Sequence, residues 1–256
     1  MKIYQYTSIE SLRKIIENKC IRFNRLDRVD DKAEYKHDST VHDINIQLGK
    51  YTFVSCWTKQ EEENIDLWNR YGKGDKGVRI GMDENMFVTY DVGTVNKSFF
   101  NAREYYFENF KISSYINTVN LIDVDYKKDI IPFYKEAIKE IDNGVAFKFQ
   151  NIGIYKKRAW HLQNESRFII HAIPFVPDLI NSNPTSFIEA MISAYKSKME
   201  LSRDSLYIPL KKEAFNSLEI TMGAKTTSQD KINVEEIMKE HNIKVIIKDS
   251  EMKGDI

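Results

Sequence analysis

The stretch AWHLQNESRFII, residues 159–170, constrains the fold more than any other part of the chain. Its second half opens the apolar run FIIHAIPFV, broken only by His171 and Pro174. A strand apolar on both faces belongs in the middle of a covered sheet. The first half sets Gln163, Glu165 and Arg167 at every second position. On an extended strand these three share one face, opposite Asn164, Ser166 and Phe168. A glutamate entering such a strand is either paired, with Arg167 or another neighbour, or it lines a pocket. The plain alternative is a solvated strand whose ion pair is worth little.

A chain of 256 residues is long enough for one large α+β domain or two small ones around a shared core. No linker, repeat or low-complexity segment divides it, so a single domain over 1–256 is expected, built on a mixed or antiparallel sheet. Acidic and basic residues number 38 each, which leaves no global field to attract nucleic acid or an acidic membrane. A nucleic-acid surface would have to be a local patch. Cys20 and Cys56 have neither C-x-x-C spacing nor a nearby histidine pair, so two buried, reduced thiols are expected and no metal. The start MKIYQYTS lacks the apolar core of a signal peptide, and FIIHAIPFV is too short to span a bilayer. The expectation is a cytoplasmic protein without a membrane partner.

KIYQY reads as a strand, and TSIESLRKIIENK as a helix with Ile9, Leu12 and Ile16 on one side. Thr7 and Glu10 have capping-box spacing, and Asn18 suits the stop. CIRF resumes a strand, and a polar loop leads into an expected helix near 35–48. KYTFVSCWT and KGVRIGMD read as strands on either side of a short helix in EEENIDLWNRYG. REYYFENF and VNLIDVD are strand candidates; DIIPFYKEAIKEI and VAFKFQNIGIYKKRA read as helices. A helix near 185–200, strands at SLYIPL and SLEITMG, a loop at GAKTTSQDK, a helix at NVEEIMKEH and a strand at IKVIIK complete the pattern.

The glycine-rich YGKGDKG lacks phosphate-loop spacing and follows a helix instead of preceding one, so it reads as a tight turn. Histidines 37, 42, 161, 171 and 241 form no metal-ligand set. There is no G-x-S-x-G elbow, and Ser55 and Cys56 lie mid-strand without an obvious base. Trp68 and Tyr71 stand three apart on a helix, a spacing usual for core and also suited to stacking on a planar ring. YKKRAW, 155–160, mixes basic and aromatic residues as nucleic-acid contacts do, and equally as a solvated helix end does.

Taken in order, YQYTSIESLRKIIENKCIRF, RVDDKAE, FVSCWT, LWNRYGKGDKGVRIGMD, YKKRAWHLQNESRFII and SLEITMGA resemble a bacterial family of unknown function, the DUF2971-type family, over most of the chain. Asp30, Lys32 and Ala33 depart from its usual N-D-P-F-E, while Asp31 and Glu34 are kept. Its E-x-E-x-R becomes Gln163-x-Glu165-x-Arg167. The opening strand–helix–strand is also similar to that of DNA-targeting ADP-ribosyltransferase toxins, and Gln163-Asn164-Glu165 fits the Q/E-x-E motif of ADP-ribosyltransferases.

What the resemblance implies is an ADP-ribosyltransferase-like α+β fold, a mixed/antiparallel sheet with flanking helices. With it comes an NAD-dependent transferase, a toxin–antitoxin or phage-defence effector acting on nucleic acid. Glu165 would stabilise the oxocarbenium charge as nicotinamide leaves, and Gln163 would position the acceptor. NAD, as co-substrate without a metal, would lie among Gln5, Tyr6, Thr7, Ser55, Trp68 and Tyr71, with Arg22 or Arg25 on its phosphates. The implied partners are an RNA or DNA acceptor and an antitoxin or chaperone protein. The rival readings are a non-enzymatic binding or sensor module, in which Glu165 only pairs with Arg167, and an NAD glycohydrolase.

Overall fold

The computed structural model describes residues 1–34, 39–41, 44–93, 97–112, 118–135, 138–141, 144–147, 149–180 and 184–254. The opening folds as its pattern requires. β1 (Lys2–Thr7) leads into α1 (Ile9–Asn18), which returns the chain to β2 (Cys20–Arg25). The cap is Ser8, whose hydroxyl accepts from the Ser11 amide, one residue beyond the expected Thr7. Leu12 and Ile16 form the buried stripe of α1, and Lys19 ends it in the left-handed region at φ 50°. Asn18, the expected stop, instead donates its side-chain amide to the Lys14 carbonyl.

The fold is a mixed α+β fold around a ten-stranded sheet. Its further strands are β3 (Thr52–Thr58), β4 (Val78–Asp83), β5 (Phe110–Ile112), β6 (Thr118–Asp123), β7 (Glu165–Pro174), β8 (Ser205–Pro209), β9 (Glu219–Met222) and β10 (Ile246–Asp249). They run in the order β6-β7-β3-β1-β4-β9-β10, with β8 on β2, β2 also on β3, and β5 on the far end of β7. Among the described strands of this sheet, only β9 and β10 pair in parallel. Among the flanking helices, α2 (Ile65–Tyr71) packs on β1, α4 (Pro184–Lys196) on β7, and α5 (Ser228–Glu240) on α1; α3 (Ile131–Lys135) is a short turn of helix.

β7 takes the central place that its apolar run demands. It pairs with β3 from Glu165↔Thr58 to His171↔Thr52 and with β6 on its other edge, and every residue but Ile173 is buried. Phe168 packs edge-on to Phe87 at 4.9 Å within the main core.

The second edge of β3 is divided. β2 holds its start, through Asn24↔Val54 and Arg25↔Phe53, and β1 holds its end, through Tyr4↔Thr58. Between these points β1 and β2 diverge. An unpaired backbone carbonyl is costly away from water; that of Cys56 accepts from Gln5 Nε2 at 2.9 Å. This fork opens the sheet.

Several segments differ from expectation. In place of a helix near 35–48, residues 39–41 and 44–46 pair as strands and Leu48–Tyr51 forms a 3-10 turn. Residues 35–38, 42 and 43, with His37 and His42, lie outside the described residues. Beyond α3, residues 138–141 pair with 144–147, and 155–157 pair in parallel with 125–127. The Asn143-Gly144 dipeptide in the sequence is a hairpin signal that a helical period overlooks. In REYYFENF only Phe110 enters a strand, with Tyr106 in an isolated bridge. α5 starts at Ser228, not Asn233, because Thr227 and Asp230 form a capping box.

YGKGDKG is a tight turn, with Lys73, Gly74 and Asp75 at φ 54°, 62° and 66°. It docks on β1 so closely that a Cβ on Gly77 would stand 2.2 Å from the Thr7 carbonyl oxygen. Gly77→Ala is therefore expected to lower stability by about 1–3 kcal/mol. The effect should appear as a lower urea midpoint at unchanged slope; an unchanged midpoint would mean that the turn yields freely.

Candidate functional site

The fork opens onto a cavity of about 800 Å³ lined by β1, β2, β3, β7 and one side of α1. Pleat alternation decides which side chains face it. Glu165 and Arg167 stand opposite Thr58 and Cys56, so these four share the cleft face. Ser55 also borders the cavity, but its side chain, opposite Phe168, turns to the other face, where its hydroxyl accepts from Trp57 Nε1 at 3.0 Å.

The strand begins at Glu165, so the expected extended face 163–167 is interrupted. Gln163 closes a 3-10 turn and Asn164 is left-handed at φ 41°. Gln163 nevertheless joins the cluster through Lys156, whose Nζ donates to Gln163 Oε1 at 2.6 Å and to Glu165 Oε2 at 3.0 Å.

Arg167 is the centre of the floor. Its Nε donates to Glu165 Oε1 at 2.7 Å, and its Nη2 to Glu165 Oε2 and Glu34 Oε1, each at 3.1 Å. Its Nη1 donates to Glu34 Oε2 and, at 2.8 Å, to the carbonyl of Gly153, which takes φ +87°. A guanidinium has five N–H donors in a fixed fork, and all of these are used. Lys156 also lies 3.5 Å from Glu34. Two acids and two bases thus make a neutral buried quartet, which is the arrangement that buried charge requires.

Burial alone would raise the Glu165 carboxyl, but Arg167 and Lys156 outweigh it and hold the group at about 2. Glu165 is ionised throughout the physiological range. Burial, with the Glu165 charge beside it, pushes the Cys56 thiol well above its usual value. Burial, together with a hydrogen bond to Asp30, raises the Tyr71 phenol.

The other expected site residues divide between cleft and core. Gln5, Tyr6, Thr7, Arg22 and Tyr71 line the cavity. The Tyr6 hydroxyl accepts from the Asn64 amide at 2.9 Å. Arg22 is exposed and makes no ion pair among the described residues. Arg25, on the opposite face of β2, is buried and paired with Asp27, Glu200 and Asp204. Trp68 is wholly buried edge-on to Tyr6 at 4.9 Å and donates to Glu63; it belongs to the core. Of the basic stretch 155–160, Lys156 turns inward while Lys157 and Arg158 are exposed.

Sequence reasoning missed Lys156, hidden in a segment with an apparent helical period. It also missed Glu34 as the distant partner of Arg167. Cys20 and Cys56, expected to be buried, are half-buried and both line the cleft. Among the described residues no cluster of histidine, cysteine and acidic side chains could hold a metal ion. No described helix is long and apolar enough to cross a membrane.

No protein-family model, no curated protein and no solved structure matches this chain. The expected DUF2971-type membership is therefore corrected. So are the ADP-ribosyltransferase, NAD, toxin–antitoxin and phage-defence readings that came with it: no known sequence or fold ties the chain to them.

Removing Arg167 would leave Lys156 as the one cation between two buried carboxylates. Arg167→Met is expected to cost about 3–5 kcal/mol in a chemical denaturation series. The pH dependence follows from the same groups. The depressed Glu165 carboxyl contributes stability that is complete above its ordinary value of 4.5 and is lost as pH falls toward 2. Burial lowers the His171 imidazole from 6.5 to about 3, so stability also falls as pH drops below 6.5, where the unfolded chain takes up a proton first. Unfolding free energies of Glu165→Gln should be flatter than wild type below pH 4.5. A wild-type profile level from pH 7 to 3 would contradict both assignments.

Proposed function

We propose that the cleft binds a phosphate-bearing, hydroxyl-rich small molecule of nucleotide size, and that the chain acts as a binding module in which Glu165 is structural. The observation that carries this reading is that both oxygens of the Glu165 carboxylate are already engaged by buried cations. Arg167 donates to both of its oxygens and Lys156 to Oε2. A carboxylate offers about four acceptor sites. One so engaged has little capacity left to meet positive charge developing on a substrate. The neighbouring thiol is held protonated by burial, which disfavours it as a nucleophile.

Binding groups are plentiful by contrast. Lys14, Arg22 and Arg28 line the cleft, and only Asp30 opposes them on that side. Arg22 is without an ion pair among the described residues, while Lys14 and Arg28 hold only exposed partners, Glu10 and Asp204. Exposed pairs of this kind are worth little and are readily exchanged for a phosphate. Asn24, Thr7 and Ser11 offer hydroxyl and amide groups nearby, and the volume lies in the range of small-molecule sites.

Nucleoside mono- and diphosphates, and the parent nucleosides, are the probes for a thermal-shift and calorimetric test. Phosphorylated probes should raise the melting temperature in a concentration-dependent way, by an amount equivalent to about 2.7 kcal/mol at a hundredfold excess over Kd. Arg22→Ala should weaken them about tenfold and leave the melting temperature of the free protein within error. Consumption of any probe on prolonged incubation would overturn the non-catalytic reading. Absence of a shift with every phosphorylated probe at millimolar concentration would overturn the ligand class.

A further inference from the structure

The floor of the cleft is nearly inaccessible although it lines a large cavity: Gln163 is 2% exposed and Glu165 8%. Tyr71, at the end of α2 and 37% exposed, stands over it. Its hydroxyl donates to Asp30 Oδ2 at 2.8 Å and accepts from Gln163 Nε2 at 3.3 Å. The directions are forced. Lys156 has donors only, so it takes Gln163 Oε1 and turns the amide nitrogen toward Tyr71. The phenol proton goes to Asp30, whose Oδ2 accepts it. Tyr71 lines the same cavity as the two floor groups Glu165 and Cys56.

The backbone at this point is fixed. A Cβ on Gly72 would stand 2.4 Å from Trp68 Cε3, so the turn after Tyr71 is pinned against the core. The part free to move is the Tyr71 side chain. What holds it is a hydrogen bond to an exposed carboxylate on the β2 side, Asp30, and a longer one to Gln163.

We infer that Tyr71 determines the specificity of the cleft: its hydroxyl keeps the place of a ligand hydroxyl that donates to Asp30 and accepts from Gln163. This rests on the ligand-binding reading above and names the group that must enter. A ligand with a hydroxyl at its inner end displaces the phenol, swings the ring aside and reaches the floor. A ligand lacking that hydroxyl would leave Asp30 and Gln163 unpaired if it displaced the phenol, so it stays at the outer cations. The inner end of the ligand is thus a polyol, and its phosphate stays at Arg22.

Cys56 gives a readout that needs no ligand, because it lines the cavity on the face of Glu165 and Arg167, and Tyr71 reaches that cluster through Gln163. In a Cys20→Ser background, alkylation of this protonated thiol by iodoacetamide at pH 8 is slow, and its rate relative to wild type reports how often the ring moves away and admits water and reagent. Tyr71→Phe keeps the ring and removes the latch; Asp30→Ala, at an exposed position, removes it from the other side. Each should raise the rate by about tenfold, the equivalent of one charge-assisted hydrogen bond. Near-ultraviolet circular dichroism would establish that both variants keep the native packing.

Rates equal to wild type in both variants would overturn the gate whatever the ligand is. In the binding arm, ribose 5-phosphate should bind Tyr71→Phe more tightly than wild type, and a deoxygenated analogue, tetrahydrofurfuryl phosphate, should bind both proteins alike. Faster alkylation without binding of any phosphorylated probe would refute the ligand class and leave the gate standing. Tighter binding of both probes to Tyr71→Phe would refute the hydroxyl-mimic assignment.

Discussion

The saturated guanidinium of Arg167 is the interaction on which the cleft depends. It joins Glu165 on its own strand to Glu34 from the loop after β2 and to the Gly153 carbonyl from a third segment. A buried charge of this kind is tolerated only when every donor and acceptor is met, and a single missing partner turns it from neutral to costly. The network therefore specifies positions: three segments far apart in sequence must arrive together for any of them to be satisfied. Lys156 extends the network to Gln163 and gives Glu34 and Glu165 the second positive charge they need.

The forked edge of β3 supplies the space into which this network looks. A sheet with β1 and β2 paired along the whole of β3 would leave no cleft. Because each strand holds only one end, the middle of β3 is open, and Gln5 covers one of the exposed carbonyls. α1 connects the two diverging strands and so forms a wall of the cavity, with Leu12 and Ile16 turned to the core. Fold and site share one cause here, since the crossover that splits the strands also lines the gap.

The division of charge within the cleft follows from depth. Inner groups are mutually neutralised, as the low-dielectric floor demands. Outer cations are left with exposed partners or none. Tyr71 stands at the boundary between the two zones, bonded to an exposed acid on one side and to the buried amide on the other. A ligand entering this cleft meets positive charge first and hydrogen-bonding capacity only behind the phenol.

Much of this was legible in the chain. The apolar run after Arg167 fixed a central strand, the capped 9–18 segment a helix between two strands, and the spacing of Glu165 and Arg167 a shared face. These are consequences of local periodicity, which the backbone imposes on any sequence. Lys156 was not legible, since three residues of strand paired in parallel with a distant segment carry no period of their own. Nor was the choice between Trp68 and Tyr71, which point alike on a helix until the packing of α2 on β1 buries one and leaves the other over the floor. The sequence by itself determined which groups could be charged, paired or buried. Only the tertiary structure decided that Glu34 is the carboxylate that completes Arg167, because electrostatic pairing depends on distance in space and that distance is set by the register of the sheet.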